Sequence, residues 1–205
     1  MDQQKNITAF ILSGGSSSRM GENKALLKIN GMYQIQRLLE ILNPVFENII
    51  ISSNDIQRFK FTGKKVIKDI YSGQGPLAGI HAGLTETETE NNFFISCDMP
   101  FISTEMIKYL IHYKSNALIV LPKAEGKIQQ LCGIYSKYIL SNVEALLLEA
   151  QKNKSTVKGS IFEVLGIVTN ETVEVSKLKI YNKEIFFNMN TPNDYEYVKR
   201  KYSNN

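Results

Sequence analysis

Along this chain, short apolar runs alternate with segments whose apolar positions recur at helical spacing. Ile7 to Leu12 is apolar except for Thr8, the pattern of a strand buried on both faces. Ser13-Gly-Gly-Ser-Ser-Ser follows directly and reads as a loop. Ile35, Leu38, Leu39 and Leu42 repeat at helical spacing, and Asn43-Pro44 ends that helix. Val45 to Ser52 reads as a second strand and Lys65 to Lys68 as a short third. A helix is predicted over Leu77 to Thr85, with Gly75-Pro76 at its start, and a strand over Asn92 to Cys97, ending at Asp98. Ser103 is placed to cap a helix carrying Met106, Ile107, Leu110 and Ile111 on one face.

Further on, Ala117 to Leu121 and Leu131 to Tyr135 read as strands. Ser136 to Lys152 is the clearest long helix, with Ile139, Leu140, Val143, Leu146, Leu147 and Ala150 aligned. Thr191-Pro-Asn-Asp194 is a helix-start signal, with a hydroxyl cap, a proline at the first helical position and a carboxylate suited to the dipole. Strands alternating with helices predict an α/β fold with a mostly parallel sheet covered on both faces. In such sheets ligands bind beyond the carboxyl ends of the strands. The chemistry should therefore follow strands.

Composition narrows the class. The chain has 205 residues, 43% apolar and 21% charged, which suits one compact domain with a full core. No linker or internal repeat divides it, so residues 1–205 are read as a single domain. Met1 to Asn6 is polar and does not resemble a signal peptide, and no apolar stretch is long enough to cross a bilayer. The two cysteines, Cys97 and Cys132, form no Cys-x-x-Cys pair, and with His81 and His112 they give no zinc spacing. A reduced, cytoplasmic setting fits, with both thiols as small buried groups. The histidines sit on predicted helices without an apparent partner and read as structural or solvent-exposed. A net charge of +4 with scattered basic residues lacks the dense stripe of a nucleic-acid binder, while a small anionic ligand is compatible. Neither nucleic acid nor membrane is expected as a partner.

The glycine loop changes the picture most. Leu12-Ser-Gly-Gly-Ser-Ser-Ser-Arg-Met-Gly-Glu-Asn-Lys24 follows the first strand. Gly14 and Gly15 let backbone N–H groups approach phosphate oxygens, Ser16, Ser17 and Ser18 add donors, and Arg19 and Lys24 add fixed positive charge. That set suits a triphosphate better than a plain surface loop. The Walker A pattern is absent, and Gly73-Gln-Gly-Pro-Leu-Ala-Gly79 only mimics a dinucleotide fingerprint, since its last glycine comes one residue late and it does not follow the first strand. Cys97-Asp98-Met99-Pro100 puts a carboxylate at a strand tip on the same edge, suited to Mg²⁺, which takes one or two carboxylates with phosphate oxygens and water. Taken alone, Asp98 reads equally as a turn residue. Asp69 ends a short strand as a second ligand-facing carboxylate, or as part of a plain turn. Asn188 and Asn190, before the capped helix, suit either a ligand or the local turn.

Leu-x-Gly-Gly-x-Ser-x-Arg-Met-Gly with a following lysine, Gly-Pro-Leu-Ala-Gly-Ile, Cys-Asp-Met-Pro-Phe and Asn-x-Asn-Thr-Pro-x-Asp occur here in one order. Together they resemble the molybdenum cofactor guanylyltransferases of the nucleotidyltransferase superfamily, over almost the whole chain. The resemblance implies a Rossmann-like three-layer α/β/α sandwich of the nucleotide-diphospho-sugar transferase type. The nucleotide would occupy roughly residues 7–115 and the acceptor roughly 116–201. It implies transfer of GMP from GTP to the phosphate of molybdenum-molybdopterin, with release of pyrophosphate. Leu12, Ser13, Gly14 and Gly15 would contact the nucleotide, with Asn54 and Asp69 at the guanosine. Lys24 and Arg19 would neutralise phosphates, and Asp98 would bind Mg²⁺ and the triphosphate. Gly79, Asn188 and Asn190 would face the pterin. Transient contacts with cofactor-synthesis proteins and apo-molybdoenzymes are implied as well.

Three positions depart from the family pattern: Ser13 for Ala, Asn23 for Asp, and Gln130 for Pro. Gln130 bears on how the strand from Leu131 begins. The small residue at Gly14 leaves room for a purine, where a CTP-using relative tends to carry Ala. Two other readings stand beside this one: a transferase using CTP or another phosphate acceptor such as a sugar phosphate, and a nucleotide-binding regulatory module without turnover. Retention of Arg19, Lys24 and Asp98 argues against the last.

Overall fold

The structure is a computed structural model that describes residues 3–14, 23–152 and 160–203. Its first strand, β1 (Gln4–Leu12), is exposed at its start and buried from Thr8 onward. A 3-10 turn at Lys24–Leu26 leads into a small hairpin, β2 (Lys28–Ile29) and β3 (Met32–Tyr33), and then into α1 (Gln34–Leu42). The strand β4 (Phe46–Ser52), a 3-10 turn at Gln57–Thr62 and β5 (Lys65–Ile67) follow, then α2 (Pro76–Glu86), β6 (Asn91–Ser96) and α3 (Thr104–Ile111). The later part holds β7 (Ile119–Ala124), β8 (Lys127–Ile128), β9 (Cys132–Ser136), α4 (Leu140–Lys152), α5 (Ile161–Ile167), β10 (Asn170–Glu174) and α6 (Pro192–Ser203).

One sheet runs through the molecule in the order β10-β7-β9-β6-β1-β4-β5, with β8 paired to β7. The strands β5, β4, β1 and β6 are mutually parallel. Strand β9 lies antiparallel between β6 and β7 and carries the sheet into the later part of the chain. Side chains alternate across β1. Ala9 and Ile11 join the core under α1 and α3, while Phe10 and Leu12 join the core under α2 and α4. Two helical layers therefore enclose the sheet, as the alternating pattern predicts.

The local signals act as read. Ile35, Leu38, Leu39 and Leu42 are all buried, and Ser103 accepts from Met106 N–H at 3.2 Å. Thr191 and Asp194 cap α6 reciprocally: Asp194 N–H donates to Thr191 Oγ1, and Asp194 Oδ2 accepts from Thr191 N–H. The long predicted helix is split, since residues Lys137–Ile139 form a 3-10 turn before α4 begins at Leu140.

The β2–β3 hairpin, β8, α5, β10 and the 3-10 turns at Lys24–Leu26 and Gln57–Thr62 lie outside the sequence-based reading. The hairpin did carry a signal. Asn30 (φ 48°) and Gly31 (φ 79°) form the left-handed pair of a two-residue hairpin turn. Strand β10 alternates exposed Asn170, Thr172 and Glu174 with partly buried Glu171 and buried Val173, and among the described residues it pairs with β7 alone, at the sheet edge.

Helix α2 lies very close to the sheet. Phe10 and Phe94 stack at 4.9 Å between centroids, and a methyl group at Gly83 would fall 2.7 Å from the Phe94 ring. Glycine at that position lets the helix seat on the aromatic pair. Cys97 and Cys132 are free and buried, and burial pushes both thiols up to about 12, so neither is a nucleophile near neutral pH.

Candidate active site

From β1 the chain moves to β4 and β5 on one side, then returns across the sheet to β6 on the other. This reversal makes β1 a topological switch point, where a crevice opens at the carboxyl ends. Ser13 and Gly14 follow β1, Ser53 and Asn54 follow β4, Asp69 follows β5, and Asp98 follows β6. The sequence supplies polar or small groups at each of these strand tips.

A cleft of about 420 Å³ opens there, lined by Ser13, Gly14, Asn54, Asp69, Ser72 and Gly75 among others. Small-molecule sites commonly enclose ~300–1,000 Å³, so the volume suits a nucleoside. Asp69 is fixed from two sides. Its Oδ2 accepts from Asn54 Nδ2 at 2.9 Å, its Oδ1 accepts from Ser52 Oγ at 3.4 Å, and its own N–H donates to Asn54 Oδ1 at 3.1 Å. Asn54 and Asp69, taken from different loops, thus form one unit.

Gly14 stands beside them. A methyl group there would lie 3.7 Å from Asp69 Oδ2, ordinary contact, so glycine widens the cleft rather than relieving a clash. Gly79 differs. A methyl group there would fall 2.9 Å from Leu12 Cδ2 and 3.1 Å from Ser52 Oγ. Gly79 therefore lets α2 approach the ends of β1 and β4 beneath Asp69. The structure places it against Leu12, Ser52 and Asp69.

A second cluster surrounds Asp98. Ser96 Oγ donates to Asp98 Oδ1 at 2.6 Å, and Lys24 Nζ lies 3.1 Å from Asp98 Oδ2. Lys24 Nζ also donates to Asn190 Oδ1 at 2.5 Å. The backbone of Met189 donates to the Asp98 carbonyl at 2.9 Å, which seats the C-terminal segment against the β6 tip. The ionic side chains are 21% and 14% exposed, so the pair is shielded yet reachable. A smaller adjoining pocket shares Gly14, Asp69 and Gly75 with the cleft and reaches Ser96, the residue that holds Asp98. Among the described residues, no three His, Cys, Asp or Glu side chains gather into a metal cage.

The other expected residues separate. Asn190 reaches the Asp98 cluster, whereas Asn188 donates to the Phe186 carbonyl at 3.0 Å and serves its own turn. Gly15, Ser16, Ser17, Ser18 and Arg19 lie outside the described residues. Of the departures from the family pattern, Asn23 caps the 3-10 turn through Ala25 N–H at 3.0 Å and lines the cleft. Gln130 accepts the Tyr135 hydroxyl on its carbonyl, and β9 still forms from Cys132. The sequence reading missed Ser52 and Ser96, each the last residue of its strand and each holding a carboxylate. A hydroxyl ending an otherwise apolar run was the available signal.

The C-terminal helix is anchored next to the site. Phe101 stacks on Tyr202 at 5.6 Å, the Tyr202 hydroxyl donates to the Pro100 carbonyl at 2.6 Å, and Arg37 lies 3.9 Å over the Tyr202 ring. Asp194 in its first turn is held below the usual carboxylate range. Burial opposes that shift but is outweighed by hydrogen bonds from Asn190 and Thr191.

Comparison with known proteins agrees with this geometry. Residues 9–164 match the family model described as a MobA-like NTP transferase domain. A probable molybdenum cofactor guanylyltransferase of Clostridium perfringens is 39% identical over 197 residues, covering 95% of this chain and 96% of the relative. A second, from Carboxydothermus hydrogenoformans, is 33% identical over 201 residues, covering 97% and 98%. The crystal structure of molybdopterin-guanine dinucleotide biosynthesis protein A from Archaeoglobus fulgidus superposes with a TM-score of 0.81 at 24% identity, covering 97% of this chain and 100% of that one, and shows the same fold. A nucleoside-sized cleft at the switch point, a shielded lysine–aspartate pair nearby and relatives matched over nearly their full length lead to one statement: this chain belongs to the MobA-like nucleotidyltransferase family, among the molybdenum cofactor guanylyltransferases.

Proposed function

We propose that the chain transfers GMP from GTP to the phosphate of molybdenum-molybdopterin, releasing pyrophosphate and forming the guanine dinucleotide cofactor. The observation that carries the proposal is that the cleft holding the Asn54–Asp69 unit adjoins a smaller pocket reaching Ser96, whose hydroxyl holds Asp98 of the Lys24–Asp98–Asn190 cluster. Ser13, Gly14, Asn54 and Asp69 hold the guanosine part, and the loop from Leu12 through Gly15 to Lys24 takes the phosphates.

Transfer between phosphates needs alignment and charge stabilisation more than a protein nucleophile. An oxygen of the acceptor phosphate attacks the α-phosphorus opposite the departing pyrophosphate. Lys24 and Arg19 neutralise the charge that builds on the phosphate oxygens. Asp98 fits Mg²⁺ in the mode where a single protein carboxylate shares the ion with phosphate oxygens and water. Held there by Asp98, Mg²⁺ would supply Lewis-acid stabilisation of the phosphates. Lys24, 3.1 Å from Asp98 Oδ2, is the cation beside that carboxylate and would serve a phosphate oxygen. Asn190, on the segment seated beside Asp98, faces the acceptor. Among the described residues no helix is long and apolar enough to cross a membrane. We place the reaction in the cytoplasm, with transient contacts to cofactor-synthesis proteins and apo-molybdoenzymes.

The test is pyrophosphate release by purified protein with Mg²⁺ and each of the four nucleoside triphosphates, with and without molybdopterin. Release with GTP that depends on molybdopterin is expected. Release with CTP in place of GTP would overturn the base assignment, and release without molybdopterin would overturn the acceptor.

A further inference from the structure

The segment from Asp69 to Gly75 forms one wall of the cleft, and side chains that do not line the cleft hold it from behind. Tyr71 lies within this segment, between Asp69 and Ser72. Its ring meets His81 edge-on, with centroids 4.9 Å apart and planes at 81°. Its hydroxyl donates to Glu144 Oε1 at 3.0 Å, and the same oxygen is 3.8 Å from His81 Nε2. His81 is 2% exposed on α2, and Glu144 belongs to α4, which packs against α2. The Tyr71 carbonyl accepts from Gln74 N–H and closes the turn, where Gly73 takes a φ of 81°.

Burial lowers the pKa of His81, against the pull of Glu144, so the imidazole is neutral near pH 7. The Glu144 carboxylate therefore has no cationic partner in His81 and is available to the phenol. Tyr71 contributes nothing to the chemistry of phosphoryl transfer, yet it ties a cleft wall to a helix pair from the far side.

We infer that Tyr71, held by His81 and Glu144, is a positioning residue that fixes the Asp69–Gly75 wall and thereby sets nucleotide affinity without touching the nucleotide. The inference rests on the reading of this cleft as the nucleotide site. It extends the set of residues that matter to a helix contributed by the later part of the chain.

The experiment uses the full chain and three variants. Tyr71→Phe keeps the ring on His81 and removes only the donor. Glu144→Ala removes the acceptor, and Glu144→Gln keeps a carbonyl acceptor. GTP dissociation constants, KM and kcat are measured together with amide hydrogen exchange over residues 70–75 in the absence of nucleotide. A hydrogen bond to a charged group at a partly exposed site predicts a ~3- to 10-fold weaker GTP affinity for Tyr71→Phe and for Glu144→Ala. The same two variants should show faster exchange over residues 70–75 and an unchanged kcat. The double variant should be no worse than either single one, and Glu144→Gln should stay near wild type in every readout.

Unchanged exchange, additive losses in the double variant, or a fall in kcat at constant KM would each overturn the inference. Faster exchange with unaltered GTP affinity would also overturn it, leaving a latch that positions nothing. If the wild-type chain binds no GTP while the variants exchange faster, the nucleotide reading itself has failed, and that result is distinct from a failed latch.

Discussion

Lys24 Nζ lies 3.1 Å from Asp98 Oδ2 and 2.5 Å from Asn190 Oδ1, so one ammonium group joins the first loop, the tip of β6 and the C-terminal segment. These residues are 74 and 166 positions from Lys24 in the chain. Without substrate the three satisfy one another, which keeps a shielded charge paired. Each has a different partner in the proposed reaction, and the predictions below separate them.

Asp98→Ala should lower turnover by ~10²-fold or more, the scale lost when one preorganised charge-stabilising group is removed. The fold should persist, because Lys24 keeps Asn190 and is itself partly exposed. Pyrophosphate release read beside far-ultraviolet circular dichroism checks both halves. Turnover at the wild-type rate would refute a metal role for Asp98.

Lys24→Ala should weaken GTP binding, seen as a right-shifted titration. Asn190→Ala should instead raise KM for molybdopterin and leave the GTP titration nearly unmoved. The reverse split would move Asn190 to the nucleotide side.

Gly79→Ala should both destabilise the protein and weaken GTP binding. Its methyl group would press on Leu12 and Ser52, and through Ser52 on Asp69. Overpacking of this kind costs about 1–3 kcal/mol. Gly166→Ala is the matched control. It sits in α5 with nothing within 4 Å of the added group, and alanine there should stabilise by about 0.5–1 kcal/mol. Urea midpoints distinguish the two, and equal behaviour would refute the close-packing account of Gly79.

Stability should fall as the solution is acidified below the ordinary histidine value of 6.5, because burial lowers the pKa of His81. Between that value and the depressed native one, the unfolded chain binds more proton than the folded chain, so acid favours unfolding. Glu144 is the acidic group and Tyr71 the phenol facing His81 in this cluster. Urea midpoints taken from about pH 7.5 to about pH 5.5 should drop for the wild type and less for His81→Leu. Equal slopes would sink the assignment. The lowered carboxylates Glu171, Glu174 and Asp194 act with the same sign, but only below their ordinary values of 4.5, 4.5 and 3.8.

Much of the fold was legible before any coordinates. The helices around Leu38, Met106 and Val143 and the strands around Phe10, Ile51 and Phe94 carry strong apolar periodicity, and they form where that periodicity puts them. Strand β10 and helix α5 were missed, because β10 is half-exposed at a sheet edge and α5 is only seven residues long. The direction of β9 was also hidden. Whether an apolar run pairs parallel or antiparallel depends on the connections around it, not on its own residues.

The site divides in the same way. The sequence alone determined the chemistry available: a glycine-rich loop, Lys24, Asp69 and Asp98 at strand ends, and the family those motifs identify. Residue type and order carry that information, because backbone access, charge and donor count are local properties. Tertiary structure alone decided which groups meet. It paired Asn54 with Asp69, set Ser96 and Asn190 on either side of the Lys24–Asp98 pair, left Asn188 to its turn, and put Glu144 behind Tyr71. Those contacts join residues far apart in the chain. Only the closing of the sheet and the packing of α2, α4 and the C-terminal segment against it bring them within hydrogen-bonding distance.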